Sequence, residues 1–484
     1  MSASTTNGQS GNDLLRQLDE SGITRAHWKI MFISGMGFLT DAYDLFIIGV
    51  VMSIIKHQWH VSPTADGLVT STALLASAIG ALLFGRVADM LGRKRIYGYE
   101  VLVLAIGAIA SALSPNVWWL IVFRFLLGIG IGGDYPVSST IMGEYAGKRT
   151  RGMLISLVFA MQAAGLIVGP ALAALLLATH LPQNLVWRIL LAFGAVPALA
   201  VFQMRRQLAE TPRFLLARGQ HDDFHAAGHS VIETTPRDRQ ASVASASSPP
   251  RDMAFAEGFR QLLSRSNLCI RLIGASAAWF VMDFAYYGNT VSSPAVLAAI
   301  SPNDSLFWHV IMQLTVFIIA AVPGYFVAAW LMDRLGRKTI QNLGFLMMAI
   351  AFGLMAVIPG VEKVVGLFLI IYGVSYFFTE FGPNSTTFIY PAELFPVDVR
   401  TTGHGIASAA GKIGGFAGVF LFPVFMSKGG LHLAEGVAAL VSLAGLAVTI
   451  FMLPETKGLS LEALSTPPVS WPPQGGHDTE RLAP

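Results

Sequence analysis

The chain has 484 residues, of which 54% are hydrophobic and 13% charged, and its mean hydropathy is +0.59. A soluble domain carries about 25% charged residues, so a soluble enzyme, a disordered scaffold and a nucleic-acid binder are all excluded. The net charge is only +3, and the single cysteine, Cys269, has no partner for an internal disulfide. What remains is a polytopic membrane protein.

Residues 1–27 are polar and include Asp13, Arg16, Asp19, Glu20 and Arg25. With no apolar core they read as a short, mostly flexible cytoplasmic leader, not a signal peptide. Apolar runs follow at 28–55, 66–86, 96–113, 117–141, 152–178 and 186–204, then at 270–297, 306–331, 340–358, 363–388, 402–426 and 431–453. A spanning helix needs about 20 apolar residues, whereas barrel strands are short and alternating. The runs therefore predict an all-α membrane fold of two six-helix bundles, 28–204 and 269–453. The loop 205–268 has a linker-like middle, 234–252, rich in Ser, Ala, Pro and Arg. From Asp252 to Ser264 a short amphipathic helix on the membrane surface is expected. The loop is expected to act as a tether without chemistry of its own, and 454–484 as a tail. Basic residues cluster after run two (Arg86, Arg93, Lys94, Arg95), run four (Lys148, Arg149, Arg151) and run eight (Arg334, Arg337, Lys338). Positive charge stays inside, which places these loops and both termini in the cytoplasm, with the cell membrane as the expected location.

The two bundles repeat. Asp89-Met-Leu-Gly92-Arg93-Lys94 returns as Asp333-Arg-Leu-Gly336-Arg337-Lys338. Glu144 ahead of Arg151 returns as Glu393 ahead of Arg400. Glu210-Thr-Pro-Arg returns as Glu455-Thr-Lys-Gly, and Asp41-Ala-Tyr as Asp283-Phe-Ala-Tyr. Such a pair of halves suits alternating access, with a site near mid-membrane where they meet.

Ionisable groups inside spans cost about 2.5–3.5 kcal/mol each on insertion scales and are functional suspects. Here they are Asp41, Asp44, Glu100, Arg124, Asp134, Asp283, Glu380 and Lys412. Asp41 and Asp283 lie at equivalent mid-span places, and Asp41 and Asp44 share a helix face. In Gly132-Gly133-Asp134-Tyr135-Pro136 the glycines permit close packing and Pro136 is expected to loosen the helix beside Asp134. Trp279, Asp283 and Tyr287 are spaced four apart and share one face. The His residues show no metal spacing, and no Walker A motif is present.

The repeated D-x-x-G-R-K loops resemble the major facilitator superfamily, and the end Pro454-Glu455-Thr456-Lys457-Gly458 resembles its sugar-porter branch. That resemblance implies twelve helices in two pseudo-symmetric halves. It also implies a cytoplasmic gate made by Asp89, Arg93, Asp333, Arg337, Glu144, Arg151, Glu393 and Arg400. The alternative is that these charges only set topology. The G-G-D-Y-P-x-S-x-T-I-x-x-E segment closely resembles the signature of phosphate:proton symporters. By that resemblance Tyr135, Gln162, Trp279, Asp283, Tyr287 and Asn384 contact inorganic phosphate. That resemblance also implies that Asp41, Glu100 and Asp134 carry protons; Asp44, on the same face as Asp41, is expected to join the proton coupling, and Lys412 is expected to offset charge in the empty site. No cofactor is expected beyond protons as the coupling ion. The expected partners are phosphate or another small anion, protons and the bilayer, for a monomer.

The D-x-Y-D run at Asp41–Asp44 also resembles proton symporters of small organic and aromatic acids. A sugar porter shares the loop motifs but not so acidic a cavity. A non-transporting nutrient sensor on the same fold would need a signalling tail, and the tail here has no evident domain.

Overall fold

The computed structural model describes residues 14–179, 181–231 and 255–465. Eleven helices among the described residues are long and apolar enough to cross a bilayer. The last, Arg400–Met452, is interrupted at Gly429 and at Gly430, whose φ of 61° suits glycine. Its two arms complete twelve spans, in agreement with the sequence. In chain order these are α1 (Arg25–Gln58), α2 (Pro63–Leu91), α3 (Tyr99–Ala112), α4 (Val117–Tyr145), α5 (Arg151–Leu177) and α6 (Gln183–Arg205). The second half holds α7 (Ser266–Val291), α8 (Leu306–Leu335), α9 (Arg337–Val357), α10 (Val365–Leu394), α11 (400–428) and α12 (431–452).

Local chemistry fixes where these helices start and stop. Ser62 caps α2 by accepting from the Ala65 N–H, with Pro63 in the first turn. Asn116 caps α4 by accepting from Trp118 and Trp119. At the far ends of α2 and α8 the chain turns on Gly92 (φ 101°) and Gly336 (φ 92°), the glycines of the repeated motif. Each turn is then held by a glutamate. Glu210 accepts from the Lys94 N–H at 3.0 Å, and Glu455 from Arg337 and Lys338 at 3.0 and 3.1 Å. The repeated Glu-Thr pairs therefore cap the helix starts that follow the repeated glycines.

The halves meet through α2 against α11 and α5 against α8. These are the same contact exchanged by the repeat, since α2 corresponds to α8 and α5 to α11. Glycines line such contacts: a Cβ on Gly405 of α11 would strike the Ala81 carbonyl of α2.

Several sequence expectations shift. Hydropathy trimmed the polar helix ends, so Arg86 and Asp89 lie on α2, and Glu144 and Glu393 lie on α4 and α10, not in loops. The seventh run splits at Ser292, because Pro294 opens a separate helix, Ser293–Ile300. The helix α4 continues through Pro136 to Tyr145. The leader is not simply flexible. Residues 14–20 are helical, and Leu14 packs against Leu215 and Phe224 of the interbundle loop. That loop folds as Pro212–Ala217, His221–Val231 and Phe255–Ser264. Its linker-like middle, 234–252, lies outside the described residues.

Candidate functional site

At the end carrying the basic loops, the two repeated aspartates reach across the interface. Asp89 accepts from the N–H groups of Thr401 and Thr402 at the start of α11, at 3.3 and 2.7 Å, and from the Thr402 hydroxyl at 2.6 Å. Asp333 accepts from Gly152 and Met153 at the start of α5, at 3.2 and 2.7 Å. Each carboxylate thus caps a helix N-terminus of the opposite half, where the helix dipole favours negative charge. Arg93 pairs with Asp89 and Glu144, both at 3.1 Å, and Arg400 reaches across to Glu144 at 3.0 Å. Arg337 pairs with Asp333 at 2.8 Å and Glu393 at 2.7 Å. Arg151 instead pairs with Asp19 of the leader, at 3.2 Å. The eight gate candidates therefore form a cluster of three paired groups: Asp89, Arg93, Glu144 and Arg400; Asp333, Arg337 and Glu393; and Arg151 with Asp19. Leader and tail add to it: Arg213 pairs with Asp19 at 2.7 Å and with Glu462. Burial works to raise the Glu462 carboxyl, but Arg213 holds it below its ordinary range.

In the first half, Arg205 at the end of α6 is buried and holds two carboxylates. It donates to Glu100 at 2.6 Å and to Asp134 at 2.7 and 2.8 Å, with its guanidinium 4.2 Å over the Tyr97 ring. The pair lies on Gly37 of α1, where any Cβ would collide with both Asp134 and Arg205. Asp41, one turn further along α1, is buried with Oδ2 unpaired among the described residues. Its charged neighbours are Asp134, Arg205, Asp44 and Lys412. Asp44 points elsewhere, against Gly194 of α6, and Arg124 donates to its carbonyl at 2.9 Å.

Where the halves meet, eight side chains form one connected set. Gln162 donates to the Tyr135 hydroxyl at 3.0 Å and accepts from Tyr325 at 3.0 Å. Asn384 donates to Tyr325 at 3.1 Å. The Tyr135 and Tyr287 hydroxyls are 3.4 Å apart, and Trp279 stands 6.1 Å from the Tyr135 ring. Lys412 Nζ donates to Tyr287 at 2.9 Å and to Asp283 at 3.2 Å, and lies 4.0 Å from the Tyr135 ring centroid. Gly411 and Gly415 flank Lys412 and leave room for the Trp279 and Tyr287 rings, which a Cβ would meet. Tyr135, Gln162, Trp279, Asp283, Tyr287, Asn384 and Lys412 are each no more than 2% exposed.

Aromatic rings close both sides. Toward the basic end, Phe38, Phe159 and Phe388 pack within 4.6–5.4 Å of one another. Toward the other end, Phe46 stacks on Tyr287 at 5.5 Å, and Gly49 of α1 abuts the Val291 carbonyl of α7. Beyond that contact an open cleft of about 410 Å³ separates α1 and α2 from α7 and α11, with Lys56 and Asp66 on its wall.

A family profile described as "Sugar (and other) transporter" matches residues 30–466. The chain belongs to the sugar (and other) transporter family. Among curated relatives of this transporter, the probable inorganic phosphate transporter 1-6 of Arabidopsis thaliana is 34% identical, over 93% of the chain and 96% of the relative. The putative inorganic phosphate transporter 1-13 of Oryza sativa subsp. japonica is 36% identical, over 94% of each. Among solved structures, the proton:xylose symporter XylE bound to 6-bromo-6-deoxy-D-glucose superposes with a TM-score of 0.75 at 18% identity, covering 90% of this chain and 98% of that one. The partially occluded inward-open form of XylE from E. coli gives 0.72 at 17% identity, covering 90% and 100%. These structures share the fold, that of the major facilitator superfamily, and the transporter is a multi-pass membrane protein.

The sequence reading missed three contributors. Arg205 stands at the polar edge of an apolar run, where it looked like the first residue of a loop. Tyr325 is a lone tyrosine in an apolar span, and nothing in its spacing shows that it joins Gln162 to Asn384. Asp19 sits in the leader, and only its pairing with Arg151 and Arg213 ties it to the gate.

Proposed function

We propose that the protein is a proton-coupled symporter that imports inorganic phosphate by alternating access. The observation that carries this reading is the buried set of donors around Lys412, facing Asp283 at the meeting of the halves, in a chain whose relatives are named phosphate transporters. Dihydrogen phosphate has bare oxygens and hydroxyls. Lys412, Tyr135, Tyr287, Trp279, Gln162 and Asn384 donate to the oxygens. Asp283 accepts from a phosphate hydroxyl, and Lys412 turns from Asp283 toward the anion.

Coupling follows from charge. Asp41, Glu100 and Asp134 outnumber Arg205, so the empty first half repels an anion. A proton on Asp41 or Asp134 removes that repulsion, and phosphate binding in turn favours the proton. Asp44, turned toward α6 and Arg124, serves the same half from a greater distance. The basic end is cytoplasmic, with leader and tail inside and the Asp89 and Asp333 caps as its gate. The plasma or inner membrane is the site of action, and the protein works as a monomer. The organic-acid alternative relied on an Asp41–Asp44 pair, and the placement of Asp44 away from the half interface gives it no support.

The test is labelled phosphate uptake into proteoliposomes with and without an inward proton gradient, with benzoate as competitor. Gradient-dependent phosphate uptake that benzoate leaves untouched is expected. Uptake of benzoate in place of phosphate selects the other substrate class.

A further inference from the structure

Two acids of the C-terminal half take no part in the site as described. Glu380 on α10 and Glu435 on α12 are fully buried, and neither has a cationic partner among the described residues. An uncompensated charge at such depth is costly, so an acid kept there without a cation is suited to holding a proton. The two lie at different depths. Glu435 is in the first turn of α12, near the end opposite the basic loops, whereas Glu380 is bonded to Asn384 at the centre.

A line of hydroxyls lies between them. Asn289 Nδ2 donates to Glu435 at 3.4 Å, and the Asn289 carbonyl accepts from Ser293 at 3.2 Å and Tyr372 at 3.4 Å. The hydroxyls of Ser293, Tyr372 and Tyr376 form a triangle with edges of 3.0, 3.0 and 3.2 Å. Tyr376 and Tyr286 face Glu380. The line is not continuous: among the described residues no hydrogen bond links His432 to Glu435 or Tyr376 to Tyr286, and at two further breaks buried polar atoms lack a hydrogen-bond partner. Glu435 Oε1 and Asn289 Oδ1 mark one, and Tyr286 Oη and Glu380 Oε1 the other. Each of these two breaks offers polar partners for one bridging water. At the outer end His432, one turn before Glu435, pairs with Glu362 at 3.4 Å, with side chains 41% and 29% exposed. The other titratable groups facing this line are Tyr372 beside Glu435, and Tyr325 and Asp283 beside Glu380.

We propose that the C-terminal half carries a proton path of its own, from the solvent-touching His432–Glu362 pair through Glu435 and the Ser293, Tyr372, Tyr376 and Tyr286 hydroxyls to Glu380 behind Asn384. Protons alone move. Glu380 first gives its proton to the site and becomes a carboxylate; Glu435 then passes its proton inward, each hydroxyl or bridging water accepts one proton and passes on another, and Glu380 returns to the acid; Glu435 is reprotonated through water from His432, which takes a proton from solvent. The path is separate from the Arg205 network, and it deepens the symport reading on which it rests. It would serve proton supply while the contacts of Phe46 with Tyr287 and of Gly49 with Val291 keep the substrate route shut.

The test compares wild type, Glu435→Gln and Tyr376→Phe in proteoliposomes loaded with a pH dye. Gradient-driven phosphate uptake and phosphate-induced lumenal acidification are followed beside phosphate counterflow at equal pH, which needs no net proton movement. The path predicts that both variants lose about tenfold in gradient-driven uptake and acidification, with counterflow unchanged. Infrared difference spectra should also lose a protonated-carboxyl band in Glu435→Gln. If wild type couples and both variants couple equally well, the path is overturned and the symport reading stands. A parallel fall in counterflow makes Glu435 and Tyr376 packing residues, which also overturns the path. A wild type without gradient-driven phosphate uptake overturns both.

Discussion

Lys412 on α11 donates to Asp283 on α7 across 3.2 Å, and both side chains are 1% exposed. This pair is the simplest charge-neutral unit in the centre of the molecule, and it belongs wholly to the second half. In the first half, Arg205 faces Glu100 and Asp134, with Asp41 close by. One half therefore balances a cation with one carboxylate, and the other gathers more carboxylates than cations around Arg205. The proposed symport uses the first as the anion's partner and the second as the proton carrier.

The first prediction is a double-mutant cycle. Removing one partner of a buried pair costs about 3–5 kcal/mol, while removing both is often neutral. Asp283→Asn and Lys412→Gln should each lower thermal stability in detergent, and the double variant should recover it. Phosphate uptake should stay lost in the double variant. Recovery of uptake together with stability would reduce the pair to a packing element.

Arg205 should behave differently. Arg205→Gln leaves Glu100 and Asp134 facing each other, so it should destabilise by about 3–5 kcal/mol. Combining it with Glu100→Gln and Asp134→Asn should restore the fold without proton-driven uptake. Gly37→Ala, whose Cβ would push into the Asp134–Arg205 pair, should impair coupling although it changes no charge. Wild-type gradient dependence in Gly37→Ala would show that the geometry of this pair is immaterial.

At the basic end, each helix cap contributes about 1 kcal/mol, and the two caps span the interface in opposite senses. Asp89→Asn with Asp333→Asn should shift the population toward a state open at that end. Spin labels on the ends of α2 and α11 would report it as a longer distance population. An unchanged distribution would mean that Asp89 and Asp333 fix topology only.

Competition by sulfate tests the role given to Asp283. Sulfate at neutral pH has no proton to donate to a carboxylate, so that contact becomes repulsive. Sulfate should compete at least about tenfold less well than phosphate, and Asp283→Asn should narrow the gap. Equal competition in wild type would contradict Asp283 as an acceptor of the phosphate hydroxyl.

The spans and the repeat were legible because both are written in long, redundant patterns. Twelve apolar runs survive errors of a few residues, and Gly92 and Gly336 mark turns that a side chain would strain. The central residues were legible for another reason, since an acid or lysine inside an apolar run stands out by cost alone. Arg205 failed that filter because it lies where hydropathy already falls, although the fold buries it completely. Asp19 and Glu462 failed for a similar reason: a polar leader and tail look solvated until Arg151 and Arg213 are seen beneath them. Tyr325 was silent because its hydroxyl finds partners on α5 and α10, far away in sequence. Local pattern reveals what a residue costs, while its partners come only from the packing of helices.

The most direct measurement is phosphate-induced proton movement. Purified protein in liposomes, with a pH dye inside and no preset gradient, receives external phosphate, and lumenal pH is followed beside labelled phosphate. Lumenal acidification that tracks phosphate uptake, and that disappears in Asp134→Asn, is the predicted result. Phosphate accumulation with no lumenal pH change, or acidification unaffected by Asp134→Asn, would contradict proton-coupled phosphate import through this site.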